Sequence, residues 1–418
     1  MDDPTVMELI SKYSARNYHR LPFVADHAEG PFLYNQAGER AIDMLASYST
    51  ILVAHGWDVP INALNEVAAG KQRLDLVPNL VPNRYYARFC ETVCTYTGYD
   101  RVLVKNGGTE ATASALHALK LHAQRRRNIK KPEVIVIQYG FHGRVNHFQS
   151  MYASEETAYP KLVTVAHSAE AVEAAINENT VGILMEIHRG EGGPLFDKTG
   201  EYRNIYTVAR RHGLLIVVDE IQTGLDRCGY RMAWQKFGPQ YRPDAVTLGK
   251  VLGGGLIPIS ALVGTEDFMS IFEPGDDGST YGGNAGACAV ATAILEYLTA
   301  HPLDKRAWEV GTRFSENLRD IPHVSVEYEG ALIAVKITGL ASGEPIARML
   351  LSGRFGPRVF SKEGRVHGNI AYVRVSPVIG TSTNETIDEA SDAFRHVLRI
   401  VSERITHAHS KQPIDISF

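Results

Sequence analysis

The feature that most constrains this fold begins at residue 101. From there short apolar runs alternate with amphipathic stretches. Arg101–Lys105, Val134–Gln138, Val181–Glu186, Leu214–Asp219, Ala245–Leu248 and Ser260–Val263 read as strands, and residues 109–126, 168–178, 200–212 and 285–300 read as helices between or beside them. Apolar strands without polar alternation must be buried on both faces, and intervening helices supply the cover. The pattern predicts an α/β domain on a mostly parallel sheet.

The flanking segments read differently. Residues 5–13 suggest a short helix, Gly30–Asn35 and Arg40–Met44 a hairpin turning near Ala37-Gly38, and residues 60–72 and 83–98 two more helices. Beyond about residue 310 helices and strands mix as in a smaller α+β unit. The expected division is an N-terminal segment 1–50 that belongs with the small domain, a large domain 51–310, and a C-terminal small domain 311–418. Phe355–Gly368, rich in Gly and Arg, reads as a mobile loop.

At 418 residues, 44% hydrophobic and 22% charged, the chain can bury a large core. A net charge of −4 and a pI near 6.5 give no reason to expect nucleic acid or an anionic membrane as partner. Cys90, Cys94, Cys228 and Cys288 lack zinc-like spacing and read as reduced, mostly buried residues. The acidic start Met1-Asp2-Asp3-Pro4 has no apolar segment after it, and no stretch approaches a membrane span, so a cytoplasmic protein is the expectation.

Two strand ends carry the chemistry. Leu214–Asp219 delivers a carboxylate before Glu220-Ile221-Gln222-Thr223-Gly224, and Ala245–Leu248 delivers Lys250 before Gly253-Gly254-Gly255. Pyridoxal phosphate needs this pair: a lysine amine to form a Schiff base with its aldehyde, and a carboxylate to keep its pyridinium nitrogen protonated. Singly, Asp219 is as well explained as a turn cap and Lys250 as a solvated charge.

Other small motifs fall at strand ends, where open α/β sheets bind ligands. Asn106-Gly107-Gly108-Thr109 opens a helix whose N–H groups and dipole would receive a phosphate, though a plain turn explains the glycines as well. Tyr139-Gly140-Phe141-His142-Gly143-Arg144 offers an aromatic to lie on a cofactor ring or, equally, to plug a loop. Gly278-Ser279-Thr280-Tyr281-Gly282-Gly283-Asn284 offers Ser279 and Thr280 as free hydroxyl donors, or as helix caps.

Together and in this order, these motifs resemble the class III, fold-type I aminotransferases, and within them the ornithine δ-aminotransferases. The resemblance runs nearly end to end, from Tyr13-Ser14-Ala15-Arg16-Asn17-Tyr18-His19 through Asp219, Lys250 and Pro274–Asn284 to Arg374 and the terminal Ile416-Ser417-Phe418. It implies a seven-stranded large domain, pyridoxal phosphate as cofactor, and a homodimer. Lys250 would be the Schiff-base lysine, Asp219 the partner of the ring nitrogen, and Gln222 the partner of the ring hydroxyl. Phe141 would stack on the ring, with His142 beside it. Gly108, Thr109 and Ser279 would hold the phosphate, and Thr280 would reach the phosphate of the neighbouring subunit.

For substrates the resemblance implies that Arg144 binds the ornithine α-carboxylate, Tyr18 contacts its α-amino group, and Tyr48 shapes the pocket. Glu191 and Arg374 would form a switchable ion pair, opened when Arg374 binds the carboxylate of a 2-oxo acid or of glutamate. An uncovered Arg374 would repel the ω-amine of the donor.

Departures stand out. Glu186-Ile187-His188-Arg189-Gly190-Glu191 lacks the usual Glu-Pro-Ile-Gln, His142 replaces a usual Trp, and Gly107-Gly108-Thr109, Leu76–Asn83 and Val375-Ser376-Pro377 are atypical. The expected reaction is L-ornithine plus 2-oxoglutarate giving glutamate 5-semialdehyde plus glutamate. The alternatives are another donor (lysine, N-acetylornithine, 4-aminobutyrate or a specialised amine) and a racemase or aminomutase, which has no need of Glu191 and Arg374.

Overall fold

The computed structural model describes residues 2–70, 73–144, 160–191 and 196–408, so the terminal Ile416-Ser417-Phe418 lies outside the described residues. The chain divides into two units, residues 58–307 and residues 1–57 with 308–418.

The larger unit is built on a seven-stranded sheet. Its order across the sheet is Arg101–Lys105, Ser260–Gly264, Ala245–Leu248, Leu215–Asp219, Thr180–Met185, Glu133–Ile137 and Lys161–Val165. Ser260–Gly264 runs antiparallel to both its neighbours, and the remaining pairs are parallel. Each of the six runs read as strands forms one. The seventh, Lys161-Leu162-Val163-Thr164-Val165, went unread because it lies at the sheet edge and alternates exposed with covered residues, so it has no continuous apolar run.

Helix Gly108–Leu121 packs on this sheet through Ala115, Leu116, Ala118 and Leu119, which are fully buried with Val134, Val181, Leu184 and Val217. Helix Ala285–Ala300 starts where the Asn284 side chain accepts from Ala287 N–H at 2.8 Å, and its small residues let it lie closely along Asp58–Ala69 and Arg84–Thr97. Helix Arg84–Thr97 is capped by Asn83 and stopped by Gly98 at φ +73°.

The smaller unit holds two four-stranded sheets. In one, His27–Glu29, Phe32–Tyr34 and Arg40–Asp43 form an antiparallel meander, and Arg358–Phe360 adds in parallel to Arg40–Asp43. The other is antiparallel: Val324–Glu329, Leu332–Thr338, Ile370–Val375 and Lys362–Glu363. The reading of Phe355–Gly368 as a loop is therefore corrected. Its middle supplies one strand to each sheet, segments of three and two residues too short to show periodicity. Helices Asp3–Tyr13, Glu344–Ser352 and Asn384–His407, with most of Asp304–Asn317, belong to the same unit. Among the described residues no helix is long and apolar enough to cross a membrane.

Candidate active site

The C-terminal ends of four neighbouring strands converge in the larger unit. Asp219 pairs with Thr247 across two parallel strands, so Asp219 and Lys250 emerge side by side. Met185 pairs with Val218 on the other flank, which brings Glu186 beside Asp219. Glu133–Ile137 lies next and leads into Tyr139–Arg144. The antiparallel strand beginning at Ser260 closes the other side, and Ser260 Oγ donates to the Gly107 carbonyl at 2.8 Å.

Lys250 sits on a tight turn with φ +45°, a left-handed conformation costly for any residue but glycine. Gly254, at φ +60°, follows so close to helix Ala285–Ala300 that a Cβ would come within 2.8 Å of Ile294 Cδ1. Desolvation lowers the Lys250 ammonium to about 8, against the pull of Glu186 and Asp219. The Glu186 carboxyl is pushed up to about 7 by burial, held back by the charge of His142.

His142 joins the loop to the strand ends. Its Nδ1 lies 2.8 Å from Asp219 Oδ2, and Asp219 Oδ1 accepts from Ile221 N–H at 3.1 Å. Burial pulls the His142 pKa down, but the hydrogen bond and charge of Asp219 outweigh it and raise it overall. Phe141 N–H donates to Glu186 Oε2 at 2.7 Å. The Arg144 guanidinium lies 5.5 Å from the centre of the Phe141 ring, and its Nη2 donates to Glu191 Oε1 at 3.0 Å. Sequence reading did not foresee this Arg144–Glu191 contact. Gln222 lies against Gly190, whose added Cβ would come within 2.8 Å of Gln222 Cδ.

The glycine segment expected to cradle a phosphate stands beside this group. A Cβ on Gly108 would meet Ile221 Cδ1 at 2.9 Å, and one on Gly143 (φ +117°) would meet Thr109 Cβ at 2.9 Å. Helix Gly108–Leu121 has no side-chain cap at its N-terminus, and while Glu110 N–H donates to the Gly107 carbonyl, the N–H groups of Gly108 and Thr109 are left for an outside acceptor.

Ser279 is not the free hydroxyl expected. Its Oγ accepts from Asn106 Nδ2 and from Gly282 N–H, each at 3.0 Å, which leaves its own hydrogen to donate. Sequence reading missed the anchor of this segment. Buried Lys105, one residue before the cradle, pairs with Asp277 and donates to the Gly278 carbonyl at 2.6 Å. A lysine ending a strand is a weak signal, because exposed lysines occupy such positions often. Glu220 was missed as well. It is buried, accepts from Trp234 N–H at 3.0 Å and Thr223 Oγ1 at 2.5 Å, and burial pushes its carboxyl up to about 7. Arg189 and His188, among the departures noted above, are both buried.

In the smaller unit Tyr18 is exposed and follows the first helix. Tyr48 stands in Ala46–Ser49, four consecutive left-handed residues with φ of 48°, 48°, 61° and 73°. Buried Asp43 holds the start of this turn: its Oδ1 accepts from Leu45 and Ala46 N–H at 2.9 and 2.7 Å, and its Oδ2 lies 2.9 Å from His55 Nε2. Ser49 Oγ and Ser376 Oγ bond at 2.8 Å at its end. The Arg374 guanidinium lies 5.8 Å from the centre of the Tyr48 ring.

A family model described as Aminotransferase class-III matches residues 13–398. An ornithine aminotransferase of Geobacillus sp. is 34% identical over 82% of this chain and 88% of its own length. The solved ornithine aminotransferase of Toxoplasma gondii superposes with a TM-score of 0.87 at 29% identity, covering 97% of this chain and 96% of that one. An acetylornithine aminotransferase from Elizabethkingia anophelis gives 0.84 at 27% identity, over 95% of this chain and 99% of that one. Strand-end lysine and carboxylate, glycine cradle and end-to-end match agree: the chain belongs to the class-III aminotransferases. It is a pyridoxal-phosphate-dependent enzyme that transfers amino groups.

The residues present fit that cofactor. His142 Nε2 is buried with no hydrogen-bond partner among the described residues. The helix N-terminus at Gly108 is uncapped, and Gly108 has no room for a side chain. These are places for a ring edge and a phosphate.

Proposed function

We propose that the chain is an ω-aminotransferase that takes the terminal amine of L-ornithine and passes it to 2-oxoglutarate, releasing glutamate 5-semialdehyde and L-glutamate. Pyridoxal phosphate supplies an aldehyde that captures amines and a ring that withdraws electrons from the carbon to be deprotonated. Lys250 Nζ would hold the cofactor between turnovers, and as a free amine it would take a proton from the carbon bearing the donor nitrogen and return it elsewhere in the same site. A lowered lysine pKa, about 8, suits an amine that must act as base near neutral pH.

Asp219 would pair with the ring nitrogen, and the His142 contact at 2.8 Å keeps its carboxylate oriented. Gln222 would bond the ring hydroxyl, Phe141 would cover the ring, and Gly108, Thr109 and Ser279 would hold the phosphate. Tyr18 contacts the donor's α-amino group and Tyr48 shapes the pocket. Arg374 binds the acceptor carboxylate in the second half-reaction.

The observation that carries the ornithine reading is Arg144. Its guanidinium stands over Phe141 and is covered by Glu191 at 3.0 Å, so a donor α-carboxylate can take the place of Glu191 in a planar, charge-assisted contact. The match to ornithine aminotransferases over most of the chain supports the same donor. The surroundings of Thr280, which is exposed, support a homodimer. Near it a cavity of about 450 Å³ is lined by Leu76, Ile257, Pro258 and Tyr281, and Leu80 is 93% exposed. Such an apolar face suits a two-fold interface that lends Thr280 to the partner's phosphate.

Separate half-reactions test the reading. Arg144→Leu should lower the specificity constant for ornithine at least roughly thirtyfold, the loss of one charge-assisted contact to the donor carboxylate. Putrescine, which has no carboxylate, should be a poor donor. Arg374→Leu should spare the ornithine half and impair the 2-oxoglutarate half. If Arg144→Leu leaves ornithine untouched while both halves depend on Arg374, another donor takes ornithine's place. A fully active monomer in sedimentation would overturn the dimer.

A further inference from the structure

We infer that Lys362 is a second cation for the acceptor carboxylate and sets the selectivity of the Tyr48 pocket for 2-oxo acids. The inference rests on the reading of Arg374 given above. Lys362 belongs to the two-residue strand Lys362–Glu363, which pairs antiparallel with Ile370–Val375, and its directly opposite partner is Arg374. Opposed residues of paired strands project from the same face, so two cations stand next to each other. Like charges in that position destabilise a sheet unless something compensates them.

Tyr48 compensates in part. The Lys362 ammonium donates to the Tyr48 hydroxyl at 3.3 Å and lies 5.0 Å from the centre of its ring. The Arg374 guanidinium lies 5.8 Å from the same centre. A ring face attracts both cations weakly and does not neutralise Lys362. Among the described residues no carboxylate lies within ion-pair distance of Lys362. The neighbouring Glu363 accepts instead from Ser342 Oγ at 3.1 Å, and its carbonyl accepts from Arg374 Nε at 3.1 Å.

Surface lysines ordinarily extend into water. This one is drawn over an aromatic ring beside a buried arginine, which makes a clasp of two cations roofed by Tyr48. The ligand that fits such a clasp is a carboxylate: Arg374 offers a planar fork and Lys362 a point charge. The same pair repels an ammonium end. One feature thus favours the 2-oxo acid and disfavours an amine entering in the wrong sense.

The test is Lys362→Met, which keeps the stem and removes the charge, in the cofactor-loaded enzyme. The half-saturating 2-oxoglutarate concentration should rise roughly tenfold or more, the usual loss for one charge-assisted contact. The donor half-reaction should keep its rate at saturation. Glutarate, an unreactive dicarboxylate, should lose affinity by a similar factor when titrated against the cofactor absorbance. Lys362→Arg should restore most of both. An acceptor KM and glutarate affinity within twofold of wild type in Lys362→Met would overturn the inference. Arg374→Leu separates the two readings. If it impairs the acceptor half while Lys362→Met does not, only the role of Lys362 falls. If neither matters, the reading of Arg374 falls with it.

Discussion

The strand ends of the larger unit and the Ala46–Ser49 turn of the smaller one hold their working side chains by opposite means. Asp219 and Lys250 issue from adjacent parallel strands whose residues are almost all buried. The sheet fixes them, and only Lys250 departs from ordinary backbone geometry. Tyr48 rides on four successive left-handed residues, fixed by one buried carboxylate and one serine pair. The sheet positions chemistry shared by many substrates. In the function proposed above the irregular turn would position a choice among them, and irregular backbone persists only where its surroundings over-determine it.

The largest effect expected is on chemistry with no loss of fold. Lys250→Ala should reduce turnover by roughly 10⁴-fold or more, because nucleophile and general base are lost together. Asp219→Ala should cost about 10²–10³-fold as the ring nitrogen loses its counter-charge. Single-turnover absorbance of the cofactor reads both. Normal transamination by Lys250→Ala would break the assignment of the strand ends.

Stability should move the other way at the two places. Asp43→Ala strips the acceptor from Leu45 and Ala46 N–H and from His55, and should lower unfolding free energy by about 1–3 kcal/mol, seen as a shift in urea midpoint. Donor discrimination should weaken with it, because Tyr48 loses its support. Lys250→Ala should instead stabilise the cofactor-free protein. The folded-state pKa of Lys250 is lowered from 10.5 to about 8, so the folded state binds its proton less readily than the unfolded chain. The resulting penalty is fully present below pH 8 and fades as pH rises from 8 to 10.5. The gain from Lys250→Ala should follow that window. A gain that grows with pH would contradict the desolvated ammonium.

This contrast also decides what could be read in advance. Leu214–Asp219 is visible because a buried parallel strand leaves a continuous apolar run ending in a polar residue. Glycines mark the cradle and the turn after Lys250 because backbone needs leave glycine behind. Edge strand Lys161–Val165 leaves no such trace, and neither do the short strands at Arg358–Phe360 and Lys362–Glu363, so the register that sets Lys362 against Arg374 was out of reach. Nothing in Ala46-Ser47-Tyr48-Ser49 announces a left-handed turn, since none of the four is Gly, Asn or Asp. Lys105 acts through contacts distant in sequence, and Asp43, which caps the turn two and three residues on, reads locally as an ordinary charge.

The smallest effect sharpens the comparison most. Ser47 is exposed, with φ 48° and ψ 52°, so its side chain contributes little packing while its backbone carries a left-handed penalty of about 1–2 kcal/mol. Its carbonyl accepts from Thr50 Oγ1 at 2.7 Å, a bond that a glycine keeps. Ser47→Gly removes the penalty and adds back about 0.5–1 kcal/mol of unfolded-chain entropy, so the net should be a stabilisation of about 0.5–1 kcal/mol in a urea titration. If strain in the turn serves to hold Tyr48 stiffly, the same variant should loosen donor discrimination while leaving the Lys250 chemistry unchanged at saturating ornithine. A destabilisation as large as that of Asp43→Ala would show that the turn is held by contacts of the Ser47 side chain rather than by the carboxylate beneath it, and the two regions would no longer differ in kind.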